Sequence, residues 1–255
     1  MELLRKIFAR EVDFDNGVPL FGTLHIMISV IFLLLYAAVI VFRARLRDFG
    51  HFKTLRRIMA GILFANMLIH YSGRIIIGEW HFSEDLPLHI CFVANFFMMY
   101  ILFTDNKHSL FSVIYYFTMI GPLPAVILPD LSRSQSGYLF WQFIISHHVM
   151  LLFSLYCVFV LGYETSFKDA CRSFLYGNAY VAAMAVFNQI FGTNYIMLGE
   201  LPEQLYRTFP ILYSLPAFVW LELAGMSAIA AAYAVWATTE KRPTQTHRAH
   251  NAHIR

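Results

Sequence analysis

Apolar residues run along this chain in long blocks, interrupted by short polar connections rather than alternating with them. Seven blocks stand out, at 20–42, 58–77, 86–104, 110–128, 138–161, 174–192 and 209–236. At about 1.5 Å of rise per residue, each approaches or exceeds a hydrocarbon core of about 30 Å. The pattern predicts an all-α polytopic membrane protein, with seven transmembrane helices in one bundle over residues 18–239. A segment at 1–17 precedes the bundle and a polar tail at 240–255 follows it. The fourth block carries Pro122 and Pro124, which neighbouring helices make tolerable inside a bilayer. The short connections make consecutive helices antiparallel neighbours.

Composition sharpens the class. The 255 residues are 58% hydrophobic and only 14% charged, against roughly one-quarter charged in soluble domains. The first seventeen residues mix Arg5, Lys6 and Arg10 with Glu2, Glu11, Asp13 and Asp15, without the apolar core of a signal peptide. Three cysteines in three different blocks give no disulfide framework. With seven spans, thirteen basic residues gather on one side: Arg43, Arg45, Arg47, Lys53, Arg56, Arg57, Lys107, Lys168, Arg172, Lys241, Arg242, Arg248 and Arg255. Five lie on the other, namely Arg5, Lys6, Arg10, Arg133 and Arg207. The positive-inside bias places the N-terminus outside and the C-terminus in the cytoplasm of a multi-pass cell-membrane protein. The net charge of +3 is explained by that asymmetry and implies no nucleic-acid partner.

Polar residues inside the blocks are costly and face a protein interior or a water-filled cavity. In this topology His25, His70, His89, His147 and His148 all fall in the outer half of the bilayer, together with Cys91 and Arg74. Asn66, His70 and Arg74 are four apart, so they share one stripe of the second helix. Cys91 and Asn95 share a face of the third, and His147 shares the angular position of Ser154 on the fifth. Glu222 lies near mid-membrane, with one of the histidines or Arg74 as its partner. Arg74 is either a snorkelling interfacial residue or a ligand for a lipid phosphate or carboxylate. Asn188 and Asn194 either cap the sixth helix or join the pocket. Trp80, Tyr138 and Trp141 read as an aromatic belt, and His247, His250 and His253 as solvated tail residues.

Cys91 has two readings. A buried free cysteine is commonly a small hydrophobe. As a nucleophile it needs a base or a cation to generate the thiolate, which His147 or His148 supplies if the third and fifth helices touch. Cys157 and Cys171 have no such companions and read as packing.

The runs Leu86-Pro87-Leu88-His89-Ile90-Cys91, Pro129-Asp130-Leu131, Phe143-Ile144-Ile145-Ser146-His147 and Gly192-Thr193-Asn194-Tyr195 occur in this order. Together they resemble the YwaF-like integral membrane proteins, a bacterial group related to animal transmembrane protein 164. The resemblance covers the second helix to the seventh. It implies a cysteine-dependent acyltransferase that moves a fatty acyl chain from a phospholipid to a lysophospholipid. Carried over, the cysteine is Cys91 and the histidine falls at Ser146-His147-His148. The Ser-His step favours His147; the second histidine departs from the family pattern and leaves the choice open.

The expected mechanism is therefore acyl transfer through a thioester on Cys91, with His89, Asn95 or Asn188 as oxyanion donor and His70, Arg74, Asn194 and Glu222 supporting. Membrane phospholipids are the expected partners, with no metal and no soluble cofactor. Three rivals share these residues: a lipid or ester hydrolase in the same pocket, a zinc hydrolase using clustered histidines, and a non-enzymatic transporter or binding protein for a small anionic solute. No His-x-x-x-His within a helix supports the second. No pair of interrupted helices marks the third.

Overall fold

The computed structural model describes residues 2–9, 18–48, 52–104, 110–129 and 138–240. Asp130 and Leu131, the basic residues Arg10, Lys107 and Arg133, and the tail with His247, His250 and His253 lie outside the described residues. Among the described residues every regular element is helical: α1 (Glu2–Phe8), α2 (Thr23–Val41), α3 (Arg43–Asp48), α4 (Phe52–Ile76), α5 (Phe82–Asp85), α6 (Ile90–Thr104), α7 (Phe111–Ile120), α8 (Pro122–Ile127), α9 (Tyr138–Phe159), α10 (Phe167–Phe191), α11 (Glu203–Thr208) and α12 (Ala217–Glu240). Short 3₁₀ turns at Tyr195–Met197 and Pro210–Ser214 join the last three.

Four helices are long and apolar enough to cross a membrane: Thr23–Val41, Lys53–Ile76, Tyr138–Phe159 and Ala217–Thr238. The remaining blocks depart from the sequence expectation for local reasons. Pro87 has no N–H to give and biases the residue before it away from helix, so α6 starts only at Ile90 and has 15 residues. The fourth block breaks at Gly121, where Pro122 begins a new helix at the position that tolerates a missing N–H. The sixth starts earlier than expected, because the Ser166 hydroxyl accepts the Asp169 N–H at 3.1 Å and caps α10. Lys168, Asp169 and Arg172 thereby join its first turns. The seventh block is cut by Pro210 and Pro216, and α12 begins at Ala217.

The interior is built on α4, α6, α7 and α9. Ala60, Leu63, Met98, Ile101, Tyr115, Tyr116 and Phe153 are fully buried there. Two hydroxyls meet in this core, Thr118 Oγ1 and Ser154 Oγ, at 2.7 Å. Around the core, α2 and α12 are rim helices whose apolar side chains, such as Met27, Ile31, Leu34, Phe218 and Met226, remain exposed. A helix apolar all round, buried on one side and bare on the other, suits hydrocarbon rather than water.

One charged contact fixes the end of this frame at which α4 closes and α6 begins. The Arg74 guanidinium, 1% exposed, reaches Asp85 Oδ2 at 3.0 Å, and the Asp85 side chain has no exposure at all. Glu79 adds a second carboxylate at 3.3 Å, and Asp85 also accepts the His81 N–H at 2.8 Å. Arg74 is thus neither a snorkelling residue nor the partner of Glu222; it ties the end of α4 to the connection leading into α6. Removing one member of a buried pair strands the other charge, at about 3–5 kcal/mol, whereas replacing both with apolar groups is often neutral. Asp85→Leu is therefore expected to lower the melting temperature of purified protein markedly, and Arg74→Met/Asp85→Leu to recover most of the loss. A single variant as stable as the parent would show that the pair is not structural.

Candidate functional site

Cys91 lies in the first turn of α6, partly buried. What surrounds it follows from three close approaches. The Gly121 backbone lies against it: a Cβ on Gly121 would meet Cys91 N at 3.3 Å and Ile90 Cγ2 at 3.0 Å. Tyr71 on α4 and Tyr180 on α10 both lie near enough to interact electrostatically with the thiol. Phe92, the next residue, packs its ring on His70 and Tyr71, with centroids 6.0 Å from each.

The two adjacent histidines on α9 separate cleanly. His148 turns to α2, stacked on Phe32 with centroids 3.9 Å apart, with Nδ1 2.7 Å from the Tyr36 hydroxyl. His147 turns the other way. Its Nδ1 lies 2.7 Å from the Phe143 carbonyl, which can only accept, so Nδ1 carries the proton and Nε2 keeps its lone pair. His147 lies two turns before Ser154, and therefore on the face that Ser154 presents to Thr118 of α7.

Contacts further along set the level of these residues. Thr118 lies opposite Ser154. Val126, two turns on, receives His25 Nε2 at 3.3 Å, and α2 packs Ile28 against Phe140 and Ile144. The α7–α8 rod therefore runs antiparallel to α9. Gly121 lies between these two fixed points, within about one helical turn of the level of His147. Cys91 lies against Gly121 as well.

The approach to Cys91 is held from α10 and the turn after it. Gly192 adopts φ 62°, the left-handed conformation that closes a helix at low cost in glycine. The Asn188 amide then grips the returning backbone, donating to the Tyr195 carbonyl at 2.9 Å and accepting the Tyr195 N–H at 2.9 Å. Its Oδ1 also takes the Thr193 hydroxyl at 2.7 Å. Ile196 and Met197, directly after, are held at φ 54° and 62°. That conformation is strained for a β-branched residue, at about 1–3 kcal/mol. The Tyr195 hydroxyl donates to the Phe82 carbonyl and accepts the Leu86 N–H at 3.0 Å. The Tyr180 hydroxyl donates to the Leu88 carbonyl at 2.6 Å. The Gly192-Thr193-Asn194-Tyr195 run is thus a clamp on Leu86-Pro87-Leu88, the segment that delivers Cys91.

The other predicted residues divide accordingly. His70 is buried between Tyr71 and Phe92, and Asn95 is buried one turn beyond Cys91. His89 lies in the connection before α6, its ring edge-on to Tyr195. Asn188 and Asn194 serve the clamp; Asn194 binds the Glu200 carbonyl at 2.8 Å and the Gly199 N–H at 2.9 Å. Glu222, half-buried, lies in the second turn of α12 instead of mid-helix and makes no ion pair among the described residues. Cys157 is in the core, whereas Cys171 is exposed on α10 and not packed. Among the described residues no three His, Cys, Asp or Glu side chains converge as a metal site would require. A separate groove of about 710 Å³, lined by Phe97, Leu110, Phe117, Arg172 and Tyr176 among others, holds none of the predicted residues. Tyr71 and Gly121 escaped the sequence reading, and Tyr195 appeared there only as the last residue of a family run; Gly121 is beside Pro122, where a helix break was foreseeable.

With this geometry established, similarity to other proteins becomes informative. Residues 20–237 match the TMEM164 family, which takes in α2 to α12. The chain belongs to the TMEM164 family. A protein of Treponema pallidum (strain Nichols), itself described only as an uncharacterized protein, is 27% identical over 198 residues. The match spans 76% of this TMEM164-family chain and 80% of the relative. No solved structure matches. Membership makes the apolar helices those of a membrane protein.

The clamp generates a direct test. Tyr195→Phe leaves the Leu86 N–H without its acceptor, and an unsatisfied buried donor costs about 1–3 kcal/mol. Amide hydrogen exchange at residues 82–90 is expected to speed up by one to two orders of magnitude at unchanged exchange in α9. Equal exchange in the variant would mean that Tyr195 does not hold this segment.

Proposed function

We propose that this protein is a thiol-dependent lipid acyltransferase of the cell membrane, with Cys91 as nucleophile and His147 as base. One observation carries the reading: His147 commits Nδ1 to the Phe143 carbonyl and keeps Nε2 basic, on a helix that packs against both α6, which carries Cys91, and α8, which begins beside Gly121. Its neighbour His148 is already engaged by Tyr36 and Phe32, so it is not the base.

In this mechanism Nε2 takes the thiol proton as sulfur attacks the ester carbonyl of a membrane phospholipid. The C–S bond forms, the ester C–O bond breaks, and the departing lysophospholipid oxygen takes the proton back from His147. In the second half, the hydroxyl of an incoming lysophospholipid gives its proton to Nε2 and attacks the thioester. The new ester forms and the thiolate recovers its proton. First-turn backbone N–H groups of α6 and the helix dipole favour the negative charge that develops at sulfur.

The arrangement of spans belongs to the same proposal. We read α2, α4, α6, the α7–α8 rod, α9, α10 and α12 as seven membrane-spanning segments. The N-terminus is outside, and the basic connection Arg43–Arg57 faces the cytoplasm with the C-terminus. The short α6 then begins below the outer boundary, and the 77–89 connection forms a plug above it.

Cys91→Ala is expected to abolish transfer of a labelled acyl chain from phosphatidylcholine to added lysophosphatidylcholine by purified protein. His147→Ala is expected to lower it by about 10²–10⁴-fold, while His148→Ala loses stability yet keeps the activity of the folded fraction. Full activity in Cys91→Ala would end the reading. Release of free fatty acid regardless of acceptor would replace the transferase by a hydrolase.

A further inference from the structure

Two polar atoms beside Cys91 are buried without a hydrogen bond among the described residues: the Tyr71 hydroxyl and Asn95 Oδ1. An unpartnered buried polar group costs stability, and native structures tolerate few. These two come from different helices, Asn95 from the one that carries Cys91 and Tyr71 from the one packed against it. Asn95 is 4% exposed and lies four residues after Cys91, on the same face of α6. Tyr71 lies on α4, packed against α6, with its ring on that of Phe92, the residue after Cys91. Their chemistry is complementary: one offers an O–H, the other a carbonyl oxygen.

We infer that Tyr71 is a catalytic residue, the hydrogen-bond donor to the acyl carbonyl oxygen, and that Asn95 Oδ1 receives the hydroxyl of the acyl acceptor. The inference rests on the Cys91–His147 reading and adds the substrate groups that the pocket recognises, a carboxylic ester and an alcohol. When sulfur attacks, the carbonyl oxygen gains negative charge and the Tyr71 O–H stabilises it without giving up its proton. When the tetrahedral centre collapses, the oxygen lone pair re-forms the C=O bond and the ester C–O pair leaves with the lysophospholipid oxygen, which His147 protonates. In the second half-reaction the acceptor hydroxyl, bound at Asn95 Oδ1, loses its proton to His147 and attacks the thioester. Of the three sequence candidates for the oxyanion, Asn188 is already spent: its amide is engaged by Tyr195 and Thr193.

The role predicts opposite signs for activity and stability. Tyr71→Phe removes a hydroxyl that bonds nothing in the resting protein, so the melting temperature is expected to hold or rise. Acyl-thioester formation from fluorescent phosphatidylcholine, followed in full-length purified protein, is expected to slow by about 10²–10³-fold. Alkylation of Cys91 by a small iodoacetamide should be unchanged, showing an intact thiol. Asn95→Leu is expected to spare thioester formation and slow its transfer to lysophosphatidylcholine. Should Tyr71→Phe fold poorly, fluorotyrosine at 71 keeps the ring and hydroxyl and changes only its acidity, and the thioester rate must then respond to that acidity. Wild-type thioester formation in Tyr71→Phe, with Cys91→Ala inactive, overturns this inference and leaves the Cys91 reading standing. Full activity in Cys91→Ala removes both.

Discussion

The end of the bundle that carries Cys91 depends on a buried ion pair. A guanidinium at the end of α4 and a carboxylate just before α6 have no water to turn to, so their energy is acceptable only in contact. Meeting that condition fixes the connection between the two helices, and with it the point at which α6 starts. Tyr195 and Tyr180 then bind the same short segment from the opposite side. Cys91 is positioned by this convergence of an ion pair and two phenols on the few residues ahead of it.

Much of the helical frame was legible from apolar block length alone, since block length measures what a bilayer requires. The first, second and fifth blocks correspond closely to α2, α4 and α9. Boundaries failed where a single residue overrode the pattern. Pro87 delayed α6, Ser166 advanced α10, and Pro216 postponed α12, carrying Glu222 from mid-helix to the second turn. Hydropathy is blind to caps and to a missing N–H, which act through one or two hydrogen bonds.

The candidate site was legible in its members and not in their division of labour. Sequence brought forward Cys91 and the His147-His148 pair, but adjacent residues on a helix point about 100° apart, and only the neighbours decide which faces where. Tyr36 and Phe32 on α2 made that choice by engaging His148. Asn188 and Asn194 looked like pocket residues because they are polar and close to a motif; their amides are occupied by backbone. Tyr71 was invisible for the converse reason. A tyrosine in an apolar block reads as packing, and nothing in the sequence says that its hydroxyl finds no partner.

The close approach of Gly121 to Cys91 bears on how the surroundings of this thiol can vary. On that side the wall is main chain, and a side chain at 121 would collide with the first turn of α6. Amino-acid replacement therefore has little purchase there, because the backbone offers the same atoms whatever the neighbouring sequence. Variation around Cys91 is left to side chains on the facing helices, α4 and α10, apart from Tyr180, whose hydroxyl holds the Leu88 carbonyl. On one side the surroundings of Cys91 are thus set by main chain, and on the other by side chains.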